Sequence, residues 1–403
     1  MKILIIRSLN PFYEVGASAN RYAGIIKGLL QNNINVTLLV TGGYKDKQEF
    51  CEKGVPADYK NLSIRYTLTT FNNSIWKRRF NKYVLSFLFN KLNSYMLKRY
   101  FKDKYDFIWL TNDTGILSAF NVHYNTIKCK TIIELNEFND LYKSDTSGNH
   151  LQKMKASAGD KVFETAISKI DLFAVITKTL ISHYQRMAKS NAVFFHFPMT
   201  VDFSRFSNVD KTDKYKKPYI AFTGTYTNKK DGVDILIKAF SKIASSYPEY
   251  HLYLAGFYYY DVPMQKKLIA DLGLNERITY LNVLNSLQIP EFIYNADLLV
   301  LSRPDSRQAQ GGFPTKLGEY LASGNPVCVT SVGEIPDYLK DNISAFIAVP
   351  GSVDSFSDAM NRALSDKQNA IRIGLNGKKV AEENFNIEVQ IKNLIQFLQC
   401  NIK

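Results

Sequence analysis

Cysteine is scarce in this chain, with four in 403 residues, and histidine is hardly commoner, with five. Cys51, Cys129, Cys328 and Cys400 stand far apart. They show neither the paired spacing of a zinc site nor a disulfide framework, so a reducing, cytoplasmic compartment fits. No carboxylate pair at metal spacing is evident, and His123 and His196 lack a partner at any informative distance. No metal is therefore expected. Long apolar runs are missing too, and nothing approaches the roughly 18 to 20 residues of a membrane span. Met1-Lys-Ile-Leu-Ile-Ile6 is too short for the core of a signal peptide and is stopped by Asn10-Pro11, so it reads as a first strand. There is no Gly-x-Gly-x-x-Gly, so a dinucleotide cofactor is not indicated. No internal repeat or low-complexity stretch occurs.

What the chain has in excess is positive charge, and it is lopsided. Residues 1–200 hold 28 Lys and Arg against 15 Asp and Glu, whereas residues 201–403 hold 23 against 22. Nearly all of the net charge of +14 therefore belongs to the first half. It peaks where Trp76-Lys77-Arg78-Arg79-Phe80 leads on to Lys82, Lys91, Lys98, Arg99, Lys102 and Lys104. Leu85, Leu88, Phe89, Leu92 and Met96 fall between them on one helical stripe. A basic, aromatic-rich amphipathic stretch suits an anionic membrane surface, at about 1 kcal/mol per cation near it. The same stripe would equally pack a helix on a sheet, which leaves Trp76, Lys77, Arg78 and Arg79 as the membrane-surface candidates. Nucleic acid is not expected, because no binding motif accompanies the charge.

The length suggests two domains, each able to bury its own core. Apolar strands alternate with amphipathic helices throughout, which describes α/β doubly wound parallel sheets with ligand sites at the strand C-terminal ends. In the first half, a helix over Tyr22 to Gln31 and a strand Asn35–Val40 follow the opening strand. Tyr105–Leu110, Thr131–Glu137 and Leu172–Thr179 supply further strands or strand-to-helix turns. Glu134, Asn136 and Glu137 form a polar cluster at one strand's end, suited either to orienting a ligand or to capping the next helix.

The most informative segment runs from Arg307 through Gly311-Gly312-Phe313-Pro314-Thr315-Lys316 to Glu319 and Gly324-Asn-Pro-Val327. Two glycines lead into a proline suited to the first turn of a helix, and Gly324 with Pro326 ends that helix. A small flexible loop feeding a helix N-terminus offers free amides and the positive end of the helix dipole to phosphate. Thr315, Lys316 and Glu319 share one arc of the helix while Leu317 and Leu321 point elsewhere. A carboxylate one turn behind a phosphate site could accept hydrogen bonds from a ribose.

This stretch resembles the donor-site signature of the family 4 glycosyltransferases, retaining sugar transferases of the GT-B fold. That family's pattern has two glutamates separated by seven residues, followed by a short helix and a Gly-x-Pro-Val turn. Glu319 matches the second, which the resemblance makes the ribose ligand; the first falls at Gly311. Tyr219–Tyr226 and the turn Lys229-Lys230-Asp231-Gly232 match the family's strand, Gly-Arg and Lys-Gly, whose Arg and Lys grip the donor pyrophosphate. Lys230 lies six residues after Gly224, as the family's Lys does, whereas Thr225 replaces the Arg and Asp231 reads as an insertion. Threonine cannot replace a bidentate cation, though Lys229 could in part; two solvated turn lysines would look the same. Where the family often has a histidine near the sugar, this chain has Asn136. The matches span about 220 to 350 in the family's order.

The resemblance implies a GT-B protein of two Rossmann-like domains facing a cleft. It implies a first, acceptor-side domain over 1–206, a linker over 207–217, a nucleotide-sugar domain over 218–386, and a last helix in 387–403 crossing back. Gly16, in the first glycine-bearing loop, would approach the transferred group. The activity implied is transfer of a sugar from a nucleotide-diphosphate sugar to a glycan or lipid-linked acceptor, with retention, no metal and no cofactor. Lys230 and Glu319 are the catalytic candidates. Gly16, Gly224, Thr225, Lys229, Gly311, Gly312, Phe313, Pro314, Thr315 and Lys316 are the donor-binding ones. The basic first half extends this to envelope polysaccharide assembly on the inner face of a plasma membrane. The departures at Gly311 and Thr225 keep a second reading open, a non-catalytic GT-B subunit that binds or supports a partner.

Overall fold

The computed structural model describes all residues except 15, 53–59, 68–85, 140–149, 208, 211–213, 217, 286 and 403, and the side chains of 86–90 and 150–156. The membrane-surface candidates Trp76, Lys77, Arg78 and Arg79 lie outside the described residues, as does Leu85. The chain divides into two units, Met1–Phe197 with Gln390–Lys403, and Pro198–Val389.

In the first unit, β1 (Lys2–Arg7), β2 (Asn35–Val40), β3 (Leu62–Tyr66), β4 (Phe107–Leu110), β5 (Lys130–Leu135), β6 (Leu172–Val175) and β7 (Val193–His196) form one sheet. The order is β3-β2-β1-β4-β5-β6-β7 and the pairs are parallel. The strands read as continuous apolar runs because helices cover both faces of such a sheet; Ile3, Leu4, Ile5 and Ile6 are wholly buried. The first helix runs Ala17–Gln31, five residues longer at its start than the apolar pattern predicts. Ala17, Ser18 and Asn20 face outward there, so the amphipathic pattern has nothing to register.

The second unit holds β8 (Tyr219–Thr225), β9 (His251–Phe257), β10 (Ile278–Leu281), β11 (Leu298–Leu301), β12 (Val327–Thr330) and β13 (Phe346–Ala348). Their order, β10-β9-β8-β11-β12-β13, is again parallel throughout and reverses direction between β8 and β11. Ligands in such sheets bind at that switch point, outside the strand C-terminal ends. This unit begins at Pro198, ahead of the expected linker, for a packing reason. A Cβ on Gly318 would stand 1.7 Å from Met199 Cε, and the Val201 amide donates to the Phe385 carbonyl at 2.8 Å. The last helix, Ile387–Cys400, starts in the second unit, and its residues from Gln390 onward belong to the first. There Ile391 presses on Gly28, and Phe397 stacks on Phe195 with centroids 4.9 Å apart.

Candidate functional site

At the switch point of the second unit, Gly224 and Thr225 end β8 next to the ends of β9 and β11. Thr227 then caps a single helical turn, Asn228–Asp231, its Oγ1 accepting from the Asp231 amide at 3.2 Å. Lys229 and Lys230 ride on the outside of that turn and are exposed. Asp231 points the other way and is 1% exposed. Gly232 follows at φ 67°, where an L side chain is strained, and a Cβ there would lie 2.1 Å from the Ser302 carbonyl oxygen. The loop after β11 therefore seats directly on this turn, with Ser302 Oγ donating to the Gly232 carbonyl at 2.9 Å.

Across from it, Ser306 caps the short helix Arg307–Gly311, its Oγ accepting from the Ala309 amide at 3.1 Å. This corrects the expectation of a flexible loop with free amides. Gly311 ends a helix, both glycines are buried, and the Gly312 amide donates to the Gln308 carbonyl at 3.0 Å. Pro314 is extended, at φ −72° and ψ 107°, and stands just before the helix Thr315–Ser323 rather than in its first turn. That helix has no side-chain cap, which leaves its N-terminal dipole end open to an anion. Phe313 is buried against Tyr338 and Phe385, with centroids 5.7 and 5.3 Å away, so its ring is a packing group.

Lys316 enters from the first turn of this helix. Its Nζ lies 2.7 Å from Asp231 Oδ1 and 4.9 Å from the Phe222 ring centroid, and a Cβ on Gly224 would come within 2.2 Å of it. The absence of a side chain at 224 is thus what lets the ammonium reach the end of β8. Burial lowers the pKa of Lys316, the Asp231 carboxylate raises it, and the charges of Arg303 and Lys230 lower it further. Those four charges therefore share one neighbourhood, although the chain separates them by up to 86 positions. One turn on, Glu319 accepts from Arg205 in an ion pair whose side chains are 22% and 24% exposed. Tyr320 ties the same helix to β8, its hydroxyl accepting from the Thr223 amide at 2.6 Å.

Residue sequence alone did not single out Arg205, Asp231 as a charge partner, or Arg303. Arg205 sits in a segment read as closing the first domain, and no local spacing signals a pair 114 positions apart. Thr315 is half-buried on the same helix, and Thr225 accepts at its carbonyl from the Thr227 amide at 2.8 Å.

The candidates in the first unit are less uniform. Glu134 is 4% exposed and paired with Arg21, whose Nη2 also donates to the Phe197 carbonyl at 3.0 Å. This pair ties β5 to the first helix through Oε1, while Oε2 makes no hydrogen bond among the described residues. Asn136 is half-buried, with an Oδ1 that makes no hydrogen bond among the described residues, and Glu137 is exposed. Gly16 precedes the first helix at φ 146° with open space around it. Among the described residues no three His, Cys, Asp or Glu are grouped to hold a metal ion, and no helix is long and apolar enough to cross a membrane.

This edge of the sheet lies in a stretch that resembles a known family. Residues 204–380 match the model of the glycosyl transferases group 1 family. The second unit is thus similar to the group 1 glycosyl transferases over nearly its whole length. This match contains Glu319, Lys230, Lys316 and Arg205. Among curated proteins, a GDP-mannose-dependent α-(1-6)-phosphatidylinositol monomannoside mannosyltransferase of Mycolicibacterium smegmatis is 23% identical over 59% of this chain and 65% of its own length. The amylovoran biosynthesis glycosyltransferase AmsK of Erwinia amylovora is 22% identical over 48% of this chain and 47% of its own. The matches thus span less than two thirds of the length of these relatives. As a fold, the whole chain is similar to sucrose-phosphate synthase of Thermosynechococcus elongatus, with TM-score 0.76, 14% identity and coverage of 99% and 98%. It is also similar to Anabaena HepE, solved with UDP and glucose, with TM-score 0.70, 15% identity and coverage of 99% and 100%. The two parallel-sheet units are those of the GT-B fold.

Proposed function

We propose that this chain is a retaining glycosyltransferase of the family 4 type, moving a sugar from a nucleotide-diphosphate sugar to a glycan or lipid-linked acceptor. The observation that carries this reading is the constellation at the switch point of the second unit. Within the stretch matching the group 1 family, Lys230, Lys316 and an uncapped helix N-terminus converge on the end of β8, one helical turn from Glu319. A nucleoside diphosphate presents two phosphates and a ribose diol, which are complementary to a cluster of cations followed by a carboxylate.

In this reading Lys230 and the first turn at Thr315 take the diphosphate, and Glu319 takes the ribose hydroxyls. As the glycosidic bond to the diphosphate breaks, negative charge grows on the leaving oxygen. Fixed cations and a helix dipole then stabilise the transition state more than the ground state, which is what accelerates the step. Here that charge is met by side chains, and no metal is routed into the step. The acceptor is assigned to the first unit, whose basic surplus suits an anionic or lipid-linked glycan. Envelope polysaccharide assembly beside a membrane follows, supported by relatives whose names specify amylovoran biosynthesis and a phosphatidylinositol mannoside.

Thermal-shift measurements with UDP, GDP and ADP test the reading and name the base. Both GDP and UDP belong in the panel, since one relative is GDP-mannose-dependent and one structural neighbour holds UDP. Selective stabilisation by one nucleotide is expected, and indifference to all three would overturn the proposal. Indifference is also what the second reading requires. A non-catalytic subunit is favoured by the glycine at 311, the threonine at 225 and the engagement of one Glu319 oxygen by Arg205.

A further inference from the structure

The arginine that the family pattern places after Gly224 is a threonine here, and the residue that reads as an insertion, Asp231, is the one that meets Lys316. These two departures share one neighbourhood. Resting on the donor-binding reading above, we infer that Asp231 is a positioning residue that holds the Lys316 ammonium beside Gly224, where it supplies the diphosphate contact missing at position 225.

Three geometric facts support the assignment. Lys316 Nζ stands 2.7 Å from Asp231 Oδ1, and a Cβ on Gly224 would fall 2.2 Å from the same nitrogen, so the ammonium sits at the residue preceding Thr225. The Lys316 side chain is 18% exposed while that of Asp231 is 2% exposed, so the lysine is the more open member of the pair and the carboxylate is its buried anchor. Asp231 is itself fixed on both sides: its amide bonds Thr227 Oγ1 at 3.2 Å and its carbonyl accepts from Ser302 Oγ at 3.3 Å. A lysine stem is long and rotatable, and without a buried anchor its ammonium would be held in no one place.

The charges acting on Lys316 are Asp231 and Lys230 on the single turn after β8 and Arg303 after β11; on its own helix Glu319 is engaged by Arg205. Of these only Asp231 favours the protonated amine, while burial, Arg303 and Lys230 oppose it. Removing the carboxylate therefore lowers the pH at which Lys316 loses its charge. A ligand held by that charge is bound below this pH and released above it.

The test compares the affinities of the nucleoside diphosphate that the protein binds best, from UDP, GDP and ADP, with those of the matching nucleoside, from pH 6 to pH 9. The nucleoside lacks phosphates and so serves as the internal control for folding and for the ribose site. Lys316→Met is expected to weaken the diphosphate about tenfold to a hundredfold and leave the nucleoside unchanged, while Lys316→Arg retains most of the affinity. Asp231→Asn is expected to weaken the diphosphate alone, with a loss that steepens as pH rises. If Lys316→Met fails to fold, Asp231→Asn and Lys316→Arg carry the comparison. Wild-type binding of a diphosphate that is lost with Lys230→Ala but unmoved by Lys316→Met and Asp231→Asn would overturn this inference and leave the donor reading standing. Wild-type indifference to all three diphosphates overturns both.

Discussion

Replacing Glu319 separates its pairing with Arg205 from the ribose contact proposed for it. Its Oε1 pairs with Arg205, and both side chains are nearly four-fifths buried. A carboxylate has about four lone-pair positions, and a single guanidinium contact leaves the rest able to accept from a ribose diol. Glu319→Gln keeps the shape and removes the charge. Such a pair lies between exposed ones, worth about 0 to 1 kcal/mol, and fully buried ones, where loss of one partner costs about 3 to 5. We expect about 1 to 2 kcal/mol of lost stability, read as a fall in Tm of about 2 to 8 °C. Hydrogen bonds to a charged acceptor contribute about 1.5 to 3 kcal/mol, so the nucleotide Kd should rise about tenfold to a hundredfold. The decisive assay is a cycle: wild type and Glu319→Gln, each titrated with the ribonucleoside diphosphate and its 2′,3′-dideoxy form. Wild type should prefer the ribose form by about tenfold or more, and the variant should lose most of that preference. A variant that discriminates the two sugars as well as wild type does would refute the ribose assignment, whatever its stability.

Other outcomes follow from single residues. Gly232→Ala places a Cβ 2.1 Å from the Ser302 carbonyl at φ 67°, so a loss of about 2 to 4 kcal/mol is expected by urea unfolding; a loss under about 0.5 would mean the turn is not seated as described. Arg21→Met leaves Glu134 buried without its counter-ion and should cost about 3 to 5 kcal/mol, whereas Arg21→Met with Glu134→Leu should recover much of it; equal losses in both would refute the pairing argument. Cys51 and Cys400 are exposed, while burial pushes the Cys129 thiol up to about 11 and raises that of Cys328 further. The thiolate is the reactive form, and both a raised pKa and burial cut the amount of it that a reagent can reach, so at pH 8 mass spectrometry should find alkylation at Cys51 and Cys400 first, and at Cys328 only on unfolding; early labelling of Cys328 would contradict its burial. Neutralising Lys77, Arg78 and Arg79 together should weaken flotation with anionic liposomes, and unchanged flotation would reject that cluster as a membrane contact.

The pattern of residues along the chain was enough for the architecture. Apolar runs such as Lys2–Arg7 and Tyr219–Thr225, each leading to an amphipathic helix, determine parallel sheets covered on both faces, because such strands find a dry place only between helices. The run from Gly311 to Val327 announced a helix and its stop, and Gly324 does end it, at φ 81°. The site's charges were legible one by one at Lys230, Lys316 and Glu319. Their pairing was not. Lys316 meets Asp231 across 85 positions and Glu319 meets Arg205 across 114. Nor could spacing tell that Ser306 would wind Arg307–Gly311 into a helix and so take the Gly312 amide. Local periodicity registers which face of an element is apolar, and that is settled within a few residues. Which strand ends become neighbours is settled by the order β10-β9-β8-β11-β12-β13, and only that order brings a buried carboxylate after β8 against a lysine that enters from beyond β11.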